Sequence, residues 1–185
     1  PLGVEVKNNI KQQWWKRFVQ SRQDVVGIDG SIVSHQNVWK ASGHVGCFGD
    51  MLVECKGCKQ RHRADHLVEE ALNVMAEGMK KEDIDKLVEQ NNLKCPSCKG
   101  ELSKAREFNL MFKTFVGPVE SEEGVAYLRP ETAQQMFTNF KLITETSRVQ
   151  LPFGIAQQGK AFRNEISPRD FLFRCREFEQ MEIEY

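Results

Sequence analysis

Four cysteines stand in two pairs whose spacing is that of a metal site. Cys55 and Cys58 form one C-x-x-C pair, and Cys95 and Cys98 form the other. Each pair can place two thiolates on one tight turn, and two such turns supply four ligands to a tetrahedral Zn²⁺ ion. We predict a structural zinc site, since four protein ligands leave no open position for catalysis; free or redox-active thiols are the alternative.

The residues around the cysteine pairs leave two interpretations open. Lys56, Lys59, Arg61 and Arg63 are basic and could contact RNA, or they could form a solvated turn. We interpret the neighbouring His62 as a solvated or core histidine and not as a ligand. Cys47 and Cys175 have no partner at ligand spacing and are interpreted as packing residues.

A second set of reactive side chains lies near the end of the chain, in two alternating, strand-like segments at 155–165 and 174–185. Alternation predicts that Arg163 and Glu165 share one face of the first strand. It likewise predicts that Arg174, Phe178 and Glu182 share one face of the second. Two arginines could bind phosphates and an aromatic ring could stack on a base, which suits a nucleoside triphosphate. A solvated outer sheet face is the alternative, and there is no Gly-rich phosphate loop of the P-loop type.

The elements that must position these residues follow from hydrophobic periodicity. Helices are predicted for 4–20, for two stretches within 55–100, and from Arg129–Thr132 onward. Strands are predicted for 24–33, 108–116, 155–165 and 174–185, with loops at 34–50 and 166–173. We predict three segments: 1–54, a helical zinc-binding insertion at 55–100, and 101–185.

The composition excludes several classes of protein. The 185 residues carry 26 Lys and Arg against 26 Asp and Glu, so the chain has no polyelectrolyte character. No apolar run is long enough for a membrane span, and residues 1–15 do not have the pattern of a signal peptide. Paired cysteines of this kind favour a reducing compartment, so we expect a cytoplasmic protein. The chain starts without Met and stops within a strand-like pattern, and we expect a piece of a longer protein.

The C-terminal pattern resembles a known signature. Phe162-Arg-Asn-Glu165 followed by Arg174-x-x-x-Phe178-x-x-x-Glu182 is similar to motif 2 of the class II aminoacyl-tRNA synthetases. Further strings resemble the homodimeric glycyl-tRNA synthetases within that class: Pro1-Leu-Gly-Val-Glu-Val-Lys-Asn-Asn9, Trp39-Lys-Ala-Ser-Gly-His44, Arg63-Ala-Asp-His-Leu67, Tyr127-Leu-Arg-Pro-Glu-Thr-Ala-Gln134 and Arg176-Glu-Phe-Glu-Gln-Met-Glu182. The resemblance implies an α+β fold, with an antiparallel sheet flanked by helices and a dimer interface formed by residues 1–20 and the following strand.

The resemblance also implies a reaction and its partners. ATP, with Mg²⁺, would activate glycine as glycyl-adenylate, and the glycyl group would pass to tRNA(Gly). The parent enzyme would be a homodimer that binds neither DNA nor membranes. Motif 3 and an anticodon-binding domain are absent from these residues, so we expect the fragment alone to be weak or inactive. The alternatives are a non-catalytic, zinc-binding module that binds RNA or protein, and a plain structural zinc domain.

Individual roles are carried over position by position. The resemblance implies that Arg163 is catalytic and holds the α-phosphate and the glycine carboxylate, that Arg174 holds the γ-phosphate, and that Glu165 and Phe178 bind adenine. The implied ATP-binding set is Arg163, Asn164, Glu165, Phe173, Arg174, Cys175, Arg176, Glu177 and Phe178. The implied glycine-binding set is Arg63, Glu131, Phe178, Glu179, Gln180, Met181 and Glu182, with Glu131 and Glu182 on the ammonium group. Gln36, Met51 and Gln135 depart from the pattern, at positions where a proline, a proline and a glycine are usual.

Overall fold

A computed structural model describes residues 2–168 and 171–185, which form two compact units. Unit 1 contains the chain up to residue 42 together with 112–162 and 177–185. Unit 2 contains residues 43–111 and 163–176. The predicted loop at 166–173 includes Arg169 and Asp170, which lie outside the described residues.

Unit 1 contains two three-stranded sheets and three longer helical segments. Its helices are α1 (Leu2–Trp15), α2 (Gln36–Ala41) and α6 (Ala133–Ser147), and α1 continues into a π-helical turn, Lys16–Gln20. Its strands are β1 (Val25–Ile28), β2 (Val33–His35), β6 (Lys113–Phe115), β7 (Val125–Leu128), β8 (Gly154–Phe162) and β9 (Glu177–Glu184). One sheet has the order β1-β8-β9, with β1 parallel and β9 antiparallel to β8; the other is antiparallel, in the order β2-β7-β6.

The β1-β8-β9 sheet of unit 1 packs against the side chain of Trp15, at the end of α1. Val19, Val25 and Ala156 form a small core against which Trp15 and Ile183 pack. A Cβ on Gly27 of β1 would lie 2.4 Å from the Trp15 ring, so only glycine admits the ring to this strand. The helix predicted for 4–20 is therefore confirmed, and its C-terminal end is the part that contacts the sheet.

A second core lies under α6 and consists of Ala133, Met136, Ile143, Phe153 and Ile155. The helix starts later than predicted, because Thr132 is its N-cap and Glu131 lies before it. A bend at 130–132 precedes the helix, and before it the Arg129 N–H donates to the Ile32 carbonyl at 2.9 Å.

Unit 2 is a three-stranded antiparallel sheet with two longer helices, and a short helix precedes its first strand. Its strands are β3 (Gly49–Glu54), β4 (Arg61–Arg63) and β5 (Arg106–Asn109), in the order β4-β3-β5. Its helices are α3 (His44–Cys47), α4 (Ala64–Leu72) and α5 (Lys81–Gln90). Val53, Ala64, Val68, Ile84 and Ala105 are fully or almost fully buried in its core. The two helices predicted between the cysteine pairs are confirmed.

Three elements differ from the sequence-based prediction. The strand predicted for 24–33 ends at Ile28, and its last residue, Val33, begins β2 in another sheet. The strand predicted for 108–116 is divided between β5 and β6, which also lie in different sheets. At the second break, the Asn109 side chain accepts from the Met111 N–H at 2.7 Å and turns the backbone. The loop predicted for 34–50 is wrong, because it contains α2 and α3; the His35 ring caps α2 by accepting from the Asn37 N–H at 3.2 Å. No helix among the described residues has the length and apolar character needed to cross a bilayer.

Candidate functional site

The two strands of the motif 2 pattern pair as predicted, but they are shorter. The antiparallel ladder of β8 and β9 ends at the pair Phe162–Glu177. The Arg163 N–H still donates to the Arg176 carbonyl at 2.9 Å, but the Asn164 N–H donates to the Leu110 carbonyl at 2.7 Å. The prediction that Arg163 and Glu165 share a strand face is therefore wrong, because the backbone has left the ladder. Arg174 also lies outside its predicted strand, before β9 begins.

The residues that follow β8 form a cluster of arginines in unit 2. The Arg176 guanidinium donates twice to the Glu165 carbonyl oxygen, at 3.1 and 2.9 Å. Arg174 Nε lies 3.9 Å from Glu165 Oε2. The Arg163 guanidinium lies 5.4 Å from the centre of the Phe48 ring. Three of the predicted phosphate-binding and adenine-binding residues are thus close together in sequence and in unit 2.

Arg63, at the end of β4, is held by two carboxylates that the sequence analysis did not identify. Its Nη2 lies 2.5 Å from Asp65, and its Nη1 lies 3.2 Å from Asp50. Burial raises the pKa of Asp50, although the Arg63 charge opposes this. Burial also acts to raise the pKa of Asp65, but hydrogen bonds from Arg63 and the His66 N–H lower it overall. These bonds fix the guanidinium in position and compensate its charge.

Carboxylates gather in unit 1, on one face of β9 and beside the start of α6. Glu182 accepts a hydrogen bond from the Thr132 hydroxyl, and Glu131 accepts one from the Gln134 amide at 2.7 Å. Burial raises the pKa of Glu184, and the negative charges of Glu182 and Glu131 raise it further. Since these charges act on one another, unit 1 offers a cluster of three carboxylates to a cation.

The alternation of β9 divides the predicted glycine-binding residues between two faces. Phe178, Gln180 and Glu182 alternate with Glu179 and Met181. Glu179 Oε1 and Oε2 each lie 2.7 Å from a lysine of α1, Lys7 and Lys11 respectively. The structure therefore does not bring Glu179 together with Glu182.

The remaining predicted contacts are more exposed. Glu177 is exposed and pairs with Lys160. Phe173 is 96% exposed in the short 3₁₀ turn Phe171–Phe173. Cys175 is half-buried and Cys47 is exposed, so the interpretation of Cys47 as a packing residue is wrong.

The four paired cysteines come together as a candidate metal centre in unit 2. Their Sγ atoms all lie within 4.8 Å of one another, with Cys55 and Cys98 at 3.4 Å and Cys58 and Cys95 at 3.7 Å. A tetrahedral zinc ion with Zn–S bonds of about 2.3 Å requires S···S distances of about 3.8 Å. The residues present therefore fit a four-thiolate metal ion.

The two cysteine turns have the same backbone design. In each, the residue after the second cysteine, Lys59 or Lys99, has a φ of 60°. Its N–H donates to the carbonyl of the first cysteine, at 3.1 and 2.9 Å respectively. A Cβ on Gly100 would lie 3.1 Å from two of the sulfur atoms, so glycine leaves room for them.

The thiol pKa values are spread apart by these turns. The Cys58 N–H lowers the pKa of the Cys55 thiol to about 6, and the Cys98 N–H lowers that of Cys95 to about 7. The Gln60 N–H acts to lower the pKa of Cys58, but hydrogen bonding to Cys98 and burial raise it to about 12. A divalent cation would replace the protons that the four sulfur atoms share.

His62 is a buried histidine, as interpreted from the sequence, and it contacts the cysteine cluster. Its exposed fraction is 7%, and its Nε2 lies 3.6 Å from Cys95 Sγ. This contact was not predicted from the sequence, and neither were the roles of Asp50, Asp65 and Glu184. Of these, only Glu184 had a signal, since it lies two residues after Glu182 and must share its face.

Comparison with known proteins gives a match along the whole chain. The chain is 52% identical to the glycine–tRNA ligase of Geobacillus kaustophilus, 53% identical to that of Clostridium kluyveri and 52% identical to that of Ureaplasma urealyticum. Each match covers 100% of this chain but only 42%, 42% and 40% of the relative. The chain thus spans about two fifths of the length of these relatives. No protein-family profile matches it.

Proposed function

We propose, from a homology to glycine–tRNA ligases that runs along the whole chain, that this chain is part of such a ligase. In the complete protein, the glycine carboxylate would attack the α-phosphorus of ATP, giving glycyl-adenylate and pyrophosphate. A hydroxyl of the terminal ribose of tRNA(Gly) would then take the glycyl group and release AMP. The observation that carries this proposal is the match to these ligases along the whole of this chain.

The carboxylate cluster of unit 1 supports glycine as the amino acid. Glycine has no side chain, so its affinity must come from its two charged ends. Glu131 and Glu182 would bind the ammonium group, and charge-assisted hydrogen bonds of this kind contribute about 1.5–3 kcal/mol each. Thr132 orients the Glu182 carboxylate through its hydroxyl. Larger amino acids would be rejected by their volume, and no smaller competitor exists.

The arginine cluster of unit 2 supports binding of a triphosphate. Arg163 would hold the α-phosphate and stabilise the charge that develops during attack, and Arg174 would hold the γ-phosphate. Glu165 and Phe178 would bind the adenine ring. Arg63, already held by Asp50 and Asp65, would present its guanidinium in a fixed orientation to the substrate. Mg²⁺ would enter with ATP.

We further propose that the four cysteines hold zinc in a structural role. The metal would cross-link the two turns at 55–58 and 95–98, which the hydrogen bond from the Lys56 N–H to the Glu101 carbonyl at 2.8 Å also holds together. His62 would donate a hydrogen bond to the Cys95 sulfur and so fix that ligand. Thiolate ligands need a reducing compartment, which supports a cytoplasmic location.

A homodimer is supported by the surface of α1. The helix buries none of its residues, and Leu2, Val4, Val6 and Ile10 are each more than half exposed. A row of apolar side chains of this kind is typical of a surface that another chain covers. We propose a second copy of this chain as that partner.

The test is glycine-dependent ATP–pyrophosphate exchange by the complete protein. We expect Arg163→Ala to reduce the exchange rate by at least about a hundredfold, as removal of a transition-state charge partner does. Arg106→Ala is the matched control, because Arg106 is an exposed arginine of unit 2 with only a 3.6 Å ion pair to Glu54. Exchange by Arg163→Ala near the wild-type rate would refute the site assignment. Absence of exchange from the wild type would favour a non-catalytic module that binds RNA or protein.

A further inference from the structure

The four clustered thiols of unit 2 are placed for a covalent reaction that a structural metal site does not require. Two of their contacts cross from one cysteine turn to the other, at 3.4 Å between the Sγ atoms of Cys55 and Cys98 and at 3.7 Å between those of Cys58 and Cys95. The sulfur atoms of each pair are about 1.5 Å farther apart than two bonded sulfur atoms. Rotation of the side chains can close such a gap without movement of the backbone.

The backbone holds the two turns beside each other in the position that these crossed pairs need. Cys55 forms an isolated antiparallel bridge with Leu102, which follows the second turn. A Cβ on Gly100 would lie 3.1 Å from the Sγ atoms of both Cys55 and Cys98. Because glycine has no side chain, these two sulfur atoms have room to rotate toward each other.

Each crossed pair joins one exposed cysteine to one buried cysteine. Cys58 and Cys98 are exposed, whereas the relative exposure of Cys55 and Cys95 is 0%. A small oxidant in solution therefore reaches Cys58 and Cys98 first, and each has a buried sulfur atom as its neighbour. An exposed, oxidisable cysteine beside a second cysteine that resolves it is the usual arrangement of a reversible thiol oxidation site.

We propose that hydrogen peroxide converts the four thiolates into two disulfides, Cys55–Cys98 and Cys58–Cys95. In each pair, the exposed thiolate attacks the peroxide, breaks its O–O bond and becomes a sulfenic acid, with release of hydroxide. The buried thiolate then attacks the sulfenic sulfur, which forms the S–S bond and releases a second hydroxide. One peroxide thus takes two electrons from each pair, and two protons from solvent convert the hydroxides into water.

The crossed pairing has a consequence that disulfides within each C-x-x-C pair would not have. Oxidation removes all four thiolate ligands, so a metal ion bound by them is released. Crossed disulfides nevertheless join the turn at 55–58 to the turn at 95–98, as the metal would, so unit 2 keeps this link. A thiol reductant restores the ligands. Only the metal release rests on the proposed zinc site, because the pairing depends on the positions of the sulfur atoms.

The experiment treats the zinc-loaded complete protein with hydrogen peroxide and follows zinc release with a chromophoric chelator. Free thiols are then alkylated, and the disulfides are mapped by mass spectrometry. Trypsin cuts beside the cysteines after four lysines: Lys56, Lys59, Lys94 and Lys99. Cys55 and Cys58 then lie on separate peptides, whereas Cys95 and Cys98 share a third. Crossed pairing joins all three peptides, and fragmentation of the third between its cysteines assigns each partner.

We expect the crossed pairing, one zinc ion released for every two molecules of peroxide consumed, and full recovery of bound zinc after reduction and resupply of the metal. Circular dichroism should show that the helices are retained. Cys47→Ser is the control, because Cys47 is an exposed cysteine of unit 2 outside the cluster, and it should release zinc at the wild-type rate.

Disulfides within the turns would overturn the proposal, since they leave the third peptide unlinked and with an internal bond. Oxidation to sulfinic acid without any disulfide would overturn it as well. Metal-free protein should form the same two disulfides. A protein that bound no zinc but formed the crossed pairs would therefore refute the metal site and support the pairing, so the two proposals can fail separately.

Discussion

Replacing Arg129 by methionine should destabilise unit 1 by about 3 kcal/mol. The side chain is 1% exposed, and its guanidinium donates to the Lys160 carbonyl at 2.7 Å and the Gly30 carbonyl at 2.8 Å. The Gln157 side-chain amide is oriented with its oxygen toward two donors. This oxygen accepts hydrogen bonds from Arg129 Nη1 at 2.5 Å and from the Gly30 N–H at 3.0 Å. The guanidinium thus links β8 to the turn that follows β1.

The magnitude follows from the acceptors that lose a donor. Each buried acceptor left unsatisfied costs about 1–3 kcal/mol, and three acceptors at the lower bound give about 3 kcal/mol. The lower bound applies because methionine fills part of the volume and carries no charge that must be buried. Burial of the guanidinium disfavours its charged form and so lowers the pKa of Arg129. Asp29, the acidic residue near the guanidinium, is exposed and would be solvated in the variant.

Urea unfolding followed by tryptophan fluorescence measures this effect in the right part of the protein. All three tryptophans lie in unit 1. With a denaturant slope of about 2 kcal/mol per M, the midpoint should fall by about 1.5 M. Arg148→Met is the control, because Arg148 is an exposed arginine of unit 1 at the end of α6. If Arg129→Met and the control had the same midpoint, the hydrogen-bond network would contribute nothing and the reasoning would be refuted.

Two further predictions use the same assay. Gly159→Ala should destabilise unit 1 by about 1–3 kcal/mol, because its Cβ would lie 2.4 Å from Nη2 of Arg129, a guanidinium whose Nε and Nη1 donate to two carbonyls that hold it in place. Gly3→Ala, with open space around it in α1, should leave the midpoint unchanged or raise it. Glu179→Gln should flatten the acid limb of the stability profile, because hydrogen bonds from Lys11 and Lys7 lower the pKa of Glu179 below 4.5. That stabilisation, about 1 kcal/mol, is complete above pH 4.5 and is lost as the pH falls further, so a variant whose midpoint tracks the wild type at every pH would disprove it.

The parts of the fold that could be predicted are those with strong periodicity or fixed spacing. The helices of the 55–100 segment, the β8–β9 pairing and the gathering of four cysteines all follow from such patterns. The breaks at Gly30 and Asn109 could not be predicted, because each depends on a tertiary contact or a local side-chain bond. A Cβ on Gly30 would lie 2.6 Å from the Gln135 side chain, which is distant in sequence.

The candidate site was predictable in its residue types and less so in their placement. Alternation continued past Phe162 in the sequence, but the backbone left the ladder there, so the faces assigned to Arg163 and Glu165 did not hold. The anchoring of Arg63 by Asp50 had no signal in spacing, since it depends on the register of β3 and β4. Asp65 is only two residues from Arg63, but their contact depends on the turn from β4 into α4. The resemblance supplied the roles of these residues, which stay predictions until exchange is measured.

Unit 2 is assembled from two stretches of chain, 43–111 and 163–176, and this limits how such a protein can change by insertion and deletion. A single deletion that removed the cysteine-bearing stretch would leave 163–176 behind, and the Asn164 N–H would lose the Leu110 carbonyl that it bonds. A recombination crossover between the two stretches would join halves with separate histories. We therefore expect the unit to be inherited whole, and its metal site to be altered by replacing single cysteines more readily than by excising the segment that carries them.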